Sequence, residues 1–362
     1  MYYLLKFRQH KIQISVSLTR KNAKLTPALD FSIGVLMQIP FVDLDKQYQS
    51  IKNEIKSAID DILSSKKFIQ GSPASQFSRN FCELHGTGLG TGCSNGTSAI
   101  TLALRALDIG DGDEVITQTN TFFATVEAIH EVGATIVLTD ISPNDYSICL
   151  EDLERKITER TKAIIPVHLY GNPAPITDIQ QIAKKYGLNI IEDSAQAHLA
   201  KHRGTPVGSN SDFATFSFYP GKNLGAYGDA GLVLTEKEHY HQKIEMLVNH
   251  GRINKYEHEI LAGNYRMDGL QAAILSVKLK YLENWTKLRI DKARYYDHKL
   301  RDKNFKVIDV HSDDKCVYHL YIVEVSNRDE VMDHLKANGI EHGIHYPIPM
   351  HQQPALRDLN SK

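Results

Sequence analysis

SDFATFSFYPGKNLGAYGDAG, residues 211–231, begins as a buried strand and ends as a glycine-rich loop. Phe213, Thr215, Phe216 and Phe218 are apolar or β-favouring, as a strand inside a sheet requires. Pro220-Gly221 then breaks the strand, and a single cation, Lys222, follows among Gly221, Gly225, Gly228 and Gly231. A lysine where a buried strand ends either snorkels to water or reacts. Partial desolvation lowers the pKa of a primary amine and frees its lone pair, making it a candidate Schiff-base nucleophile. The same residues also suit a solvated lysine in a surface turn. The remaining chain has to separate the two.

On either side of this stretch, strands and helices alternate. Strands are expected at 114–118, 135–140, 162–168, 189–193, 213–218 and 231–235, with helices at 123–132, 150–157, 175–186 and 237–249. Such alternation predicts an α/β fold, a mainly parallel sheet with helices on both faces. Ligands of these sheets bind at the carboxyl ends of the strands. Attention therefore falls on Thr119 to Phe122, on Asp193 with Gln196 and His198, and on Tyr219 to Lys222. Asp193 is costly to bury without a partner, although it could instead cap a segment over 194–200. Phe122 could stack on a flat ligand or pack in the core.

Upstream, GTGLGTGCSNGTSAITLALRAL (residues 86–107) is rich in glycine but contains no GxGxxG, because the third position holds Thr91, Cys93 or Asn95. SNGTS, residues 94–98, precedes an amphipathic helix over 99–107. Free N–H groups and the helix dipole make that end suitable for a phosphate, or it is an ordinary N-cap. Helices are expected at 48–63 and 76–85, joined by a turn-rich loop with an odd exposed aromatic, Phe68. Beyond 249, a charged loop leads to helices at 268–282 and 286–300, with a domain boundary near Trp285. A small α+β domain follows, with strands at 306–310 and 317–325 and a helix at 328–338. GIHYPIPMHQQPA, residues 343–355, closes it. His342, His345 and His351 have no cysteine or carboxylate at matching spacing, so no metal is expected.

At 362 residues the chain can hold a large domain and a smaller one. Its 42 Lys+Arg against 43 Asp+Glu give no basic field for nucleic acid or an anionic membrane. Cys82, Cys93, Cys149 and Cys316 form no CxxC and read as free thiols in a reducing cytoplasm. No apolar run approaches the roughly 20 residues of a membrane span. Residues 1–36 carry six cations against one anion without helical period, and are expected to be a disordered or non-native extension, with Met37 an alternative start.

Taken together, SNGTSAITLALRAL, TNTFFAT, IIEDSAQAH, SFYPGKNLGAYGDAG, GNYRMDGLQAA and GIHYPIP resemble the DegT/StrS family of sugar aminotransferases. These are pyridoxal-phosphate enzymes of aminotransferase fold type I. The resemblance runs from Met37 to Ala355 and implies a large cofactor-binding domain over 37–285 and a small one over 286–362. By that resemblance Lys222 is the lysine to which pyridoxal 5'-phosphate is attached and Asp193 pairs with the pyridine nitrogen. Gln196 would lie beside the ring hydroxyl and Phe122 on the ring face, with Gly96, Thr97 and Ser217 on the phosphate. Asn264 would reach the phosphate of the neighbouring subunit, which implies a homodimer with shared active sites. Phe68, Tyr219, His345 and Tyr346 would line the sugar pocket. The implied reaction moves an amino group from an amino acid, usually glutamate, to a nucleotide-linked ketosugar, for cell-surface polysaccharide or secondary metabolites. A sugar dehydratase, an inactive homologue and a non-enzymatic regulator are the alternatives. Relatives continue past Asn360-Ser361-Lys362, so a shortened small domain is expected.

Overall fold

The computed structural model describes residues 38–301, 303 and 305–357; the extension expected over 1–36 and the early ending after Asn360 lie outside them. In chain order the elements are α1 (Leu44–Ser65), α2 (Gly71–His85), β1 (Leu89–Cys93), α3 (Gly96–Ala106), β2 (Glu114–Gln118), α4 (Phe123–Glu131), β3 (Thr135–Thr139), α5 (Leu150–Arg155), β4 (Thr161–Ile165), α6 (Ile176–Tyr186) and β5 (Asn189–Asp193). A small hairpin, β6 (Lys201–His202) and β7 (Thr205–Pro206), precedes β8 (Phe213–Ser217), β9 (Gly231–Thr235), α7 (Glu238–Leu247), α8 (Gly269–Leu279) and α9 (Leu282–Arg301). The C-terminal part holds β10 (Lys306–Val307), β11 (Val323–Glu324) and α10 (Arg328–Ala337).

Seven strands form one sheet in the order β1-β9-β8-β5-β4-β2-β3. Pairings from β8 across to β3 are parallel, while β9 runs antiparallel to both β8 and β1. Successive strand residues point to opposite faces, so β8 serves two cores. Phe213 packs with α3 residues such as Ile100, Leu102 and Leu104. Phe216 and Phe218 pack with Phe77 and Phe81 of α2 on the other side. Ser217, on the Phe213 side, therefore faces α3. In register, Asp193 at the end of β5 lies beside Thr215 of β8, which sets the acid and the Lys222 loop side by side.

Several expected boundaries move, each for a local reason. Helix α1 starts at Leu44 rather than Tyr48, because the Asp43 side chain caps it by accepting from Lys46 N at 3.1 Å. Helix α2 starts at Gly71 rather than Gln76. Pro73 falls in its first turn, where a missing N–H costs no intrahelical bond. Strand β1 has no counterpart among the expected strands, since LGTGC lacks β-branched and aromatic residues apart from one threonine. Its glycines permit close packing instead: a Cβ at Gly90 would lie 2.6 Å from Cys82 Sγ, and one at Gly92 2.9 Å from Met267 Sδ. The strand expected at 317–325 pairs only at Val323–Glu324; earlier, Val317 N bonds to Gly171 O instead. No helix among the described residues is long and apolar enough to cross a membrane, and no group of three or more His, Cys, Asp or Glu could hold a metal ion.

Candidate active site

Asp193 is 5% exposed, so its charge depends on hydrogen bonds. Its Oδ2 accepts from Thr125 Oγ1 at 2.8 Å and its Oδ1 from Ala195 N at 3.2 Å. No helix forms over 194–200, so the capping alternative falls away. Gln196 is also buried: its Oε1 accepts from Tyr170 N at 2.6 Å and its Nε2 donates to Tyr346 Oη at 3.2 Å. Tyr170 Oη in turn donates to His345 O. The Phe122 ring stands 5.6 Å from that of Tyr346 and is 55% exposed, as a ring with one free face should be. The C-terminal segment is tied over the strand ends by Met350 N, which donates to Thr119 O at 2.8 Å.

The start of α3 forms a second group. Asn95 caps it reciprocally with Ser98: Asn95 Oδ1 accepts from Ser98 N at 2.8 Å and Ser98 Oγ accepts from Asn95 N at 3.1 Å. The N–H groups of Gly96 and Thr97 are left without a hydrogen-bond partner among the described residues. A Cβ at Gly96 would come within 2.7 Å of Ser217 Cβ, so glycine is what brings the Ser217 hydroxyl against this helix end. Two unpaired N–H groups, two hydroxyls and the positive end of an 11-residue helix fit a phosphate dianion.

Lys222 follows β8 in a tightly tied loop. Its own N donates to Tyr219 O at 2.8 Å, and Ala226 N to Phe218 O at 2.7 Å. Asn223 Nδ2 donates to Val317 O at 3.1 Å, anchoring the loop to the C-terminal part. From the other side, Lys278 Nζ of α8 donates to Gly225 O at 2.6 Å and Gln271 Oε1 accepts from Tyr227 N at 2.9 Å. The Lys222 amine makes no ion pair closer than 4 Å among the described residues. Burial pulls its pKa down to about 8, against the opposing attraction of Asp193. His198, His319 and His345 lie within its field, and burial first and Lys222 second lower each of them, His198 to about 3. The backbone does make the expected turn, but the side chain is half-buried in it.

This gives a sign for pH. An amine titrating near 8 rather than 10.5 becomes a free nucleophile as pH rises through 8. The rate at which cofactor-free protein captures pyridoxal phosphate should climb with pH, pass its midpoint near 8 and level off about a unit higher. Stopped-flow absorbance over this range checks it; a rate still rising tenfold per unit above pH 9 would mean an ordinary, solvated lysine.

Gln196, Phe122 and Tyr346 are thus joined by contacts, His345 through Tyr170, the charge of Asp193 reaches Tyr346, and Gly96, Thr97 and Ser217 form a separate cradle. Tyr219 is 59% exposed on the Lys222 loop. Phe68 and Asn264 stand apart: Phe68 O accepts from Gly269 N at 2.7 Å, and Asn264 Oδ1 from Arg266 Nε at 2.9 Å. No hydrogen bond or ring contact joins either of them to Asp193, Lys222 or Tyr346 within one chain. Thr125, Tyr170, His319 and Lys278 are site-building residues that the sequence reading passed over. Thr125 lay within a quoted motif, and only its place at the start of α4 beside β5 marks it.

Comparison with solved structures gives the class first. S. venezuelae DesV, solved in complex with a ketimine intermediate, superposes with a TM-score of 0.86 at 38% identity over 88% of this chain and 86% of its own. The fold is fold type I of the pyridoxal-phosphate enzymes. The model of the DegT/DnrJ/EryC1/StrS aminotransferase family matches residues 49–362, and the chain belongs to that family. A dTDP-3-amino-3,6-dideoxy-α-D-galactopyranose transaminase of Aneurinibacillus thermoaerophilus is 44% identical over 320 residues, 88% of each chain. A protein named pleiotropic regulatory protein, from Geobacillus stearothermophilus, is 41% identical over 329 residues, 90% of this chain and 88% of its own. The cofactor is pyridoxal 5'-phosphate, and the unpaired N–H groups of Gly96 and Thr97 and the free amine of Lys222 fit its phosphate and aldehyde.

Proposed function

We propose that this protein transfers an amino group from an amino acid, glutamate in the first instance, to a nucleotide-linked ketosugar. The observation that carries the reading is the half-buried amine of Lys222, its pKa pulled down to about 8, in the field of the buried carboxylate of Asp193. When bound, pyridoxal phosphate supplies an electron sink conjugated to the amino acid's Cα. Gly96, Thr97 and Ser217 would hold its phosphate, and Phe122 would lie against its ring. Asp193 would pair with the ring nitrogen, and Gln196 would hold the ring hydroxyl. Lys222 Nζ takes the proton from Cα of the amino donor and later returns one to the sugar carbon that receives nitrogen. Tyr219, His345 and Tyr346 line the sugar side of this space, with Phe68 approaching from its loop. A lysine at position 222 supports amino transfer over the dehydratase reading, and the intact cradle argues against an inactive homologue or a pure regulator.

The same reading makes the protein a homodimer, with Asn264 completing the partner's phosphate site. Two surface grooves of about 800 and 970 Å³ share Gln70, His241 and Glu245, and nearby Tyr256 and Leu261 are 82% and 93% exposed. Apolar side chains that prominent suit burial by a second copy. The buried free thiols Cys82, Cys93 and Cys316 suit a cytoplasmic setting.

Purified protein loaded with pyridoxal phosphate should show a visible band that bleaches with glutamate and returns on adding a nucleotide-linked ketosugar. A band that returns with simple keto acids but with no nucleotide-linked sugar would end the sugar assignment.

A further inference from the structure

The acid at the end of β5 does not stand alone. Thr121 Oγ1 and Thr125 Oγ1 are 2.7 Å apart, and Thr125 Oγ1 lies 2.8 Å from Asp193 Oδ2. Both threonines are fully buried at 0% exposure, so no water competes for these bonds. Proton counting fixes their direction. An ionised carboxylate only accepts, and a threonine hydroxyl has one proton to give. Thr125 must therefore donate to Asp193, and it can then only accept from Thr121. With Ala195 N on Oδ1, each carboxylate oxygen has a fixed donor, and its free lone pairs are directed by those two bonds. The titratable groups whose charge reaches Asp193 are Lys222, on the loop after β8, and Tyr346, from the C-terminal segment. Neither is hydrogen-bonded to it, so Thr125 supplies the side-chain donor that holds its orientation, beside the backbone N–H of Ala195.

We propose that Thr125, held by Thr121, is a positioning residue that fixes the rotamer of the Asp193 carboxylate, ready for the ring nitrogen of pyridoxal phosphate. The proposal rests on the assignment of Asp193 given above. A carboxylate that loses one of its two donors is free to turn, so removing the Thr125 hydroxyl should loosen its hold on the ring nitrogen.

The experiment uses the full chain freed of cofactor and titrated with pyridoxal phosphate at a single pH, with visible absorbance as the readout. In Thr125→Val, which keeps the shape and removes the hydroxyl, affinity should weaken about tenfold, and the rate at which glutamate bleaches the saturated band should fall by a similar factor. Thr125→Ser should restore both. Thr121→Val, which leaves the Thr125 hydroxyl in place without its donor, should move both in the same direction by less, and it serves if Thr125→Val does not fold. Affinity and bleaching rate unchanged in Thr125→Val, or in Thr121→Val if that variant has to stand alone, would overturn the proposal. Asp193→Asn, alone and combined with the threonine variant, separates the two levels. If the threonine change costs nothing further once Asp193 is asparagine, it acts through the acid as proposed; an equal loss in both backgrounds overturns the proposal; and if Asp193→Asn alone changes neither quantity, the assignment of Asp193 fails and takes the proposal with it.

Discussion

Lys222→Ala should lose the visible cofactor band and fall in amino-transfer turnover by roughly 10⁴-fold or more, because one substitution removes both covalent attachment and the proton-transferring base. The environment explains why no neighbour can replace it. Lys278 is the other described lysine whose pKa burial brings down to about 8. Its amine, however, is fully buried, bonded to Gly225 O at 2.6 Å and 4.1 Å from the centre of the Tyr227 ring. It is tied to the far side of the loop. His198, His319 and His345 surround Lys222, but they are held neutral and cannot form a covalent link to an aldehyde that survives purification. Lys222→Arg sharpens the test. It restores a cation at the position but no nucleophilic amine, and should be as inactive as the alanine variant. Absorbance and single-turnover assays read both.

Asp193→Asn is expected to have the second-largest effect. The amide fills the same volume and can still meet Thr125, but it carries no charge to hold a proton on the ring nitrogen. Truncating one partner of a buried charge pair costs about 2–5 kcal/mol, a loss of roughly 30-fold to several-thousand-fold. Turnover should therefore drop by that factor while the band still forms, since Lys222 is intact. Cofactor affinity and turnover measured on one preparation separate this from misfolding: Asp193 ends an interior strand, so melting must be followed too. A variant with normal turnover would remove Asp193 from the chemistry.

Much of the fold was readable because β2 to β5, β8 and β9 are short apolar runs separated by helical periods, and that pattern survives without tertiary information. Strand β1 was not readable, because close approach to Cys82 and Met267 required glycine where propensity asks for valine or isoleucine. The start of α2 was obscured because Pro73 signals a turn to a reader who cannot see that it occupies a first helical turn. At the site, Lys222, Asp193 and the start of α3 are visible as strand-end and helix-start residues. Thr125 and Tyr170 are not, since their roles come from contacts across 68 and 26 residues of sequence. Spacing carries no trace of such pairs.

The central claim is that Lys222, and no other lysine, carries the cofactor. The most direct measurement is borohydride reduction of the loaded protein, followed by proteolysis and mass mapping of the modified peptide. One phosphopyridoxyl group should be found per chain, on the peptide containing Lys222. Modification of Lys278 or of surface lysines, with Lys222 unmodified, would contradict the account.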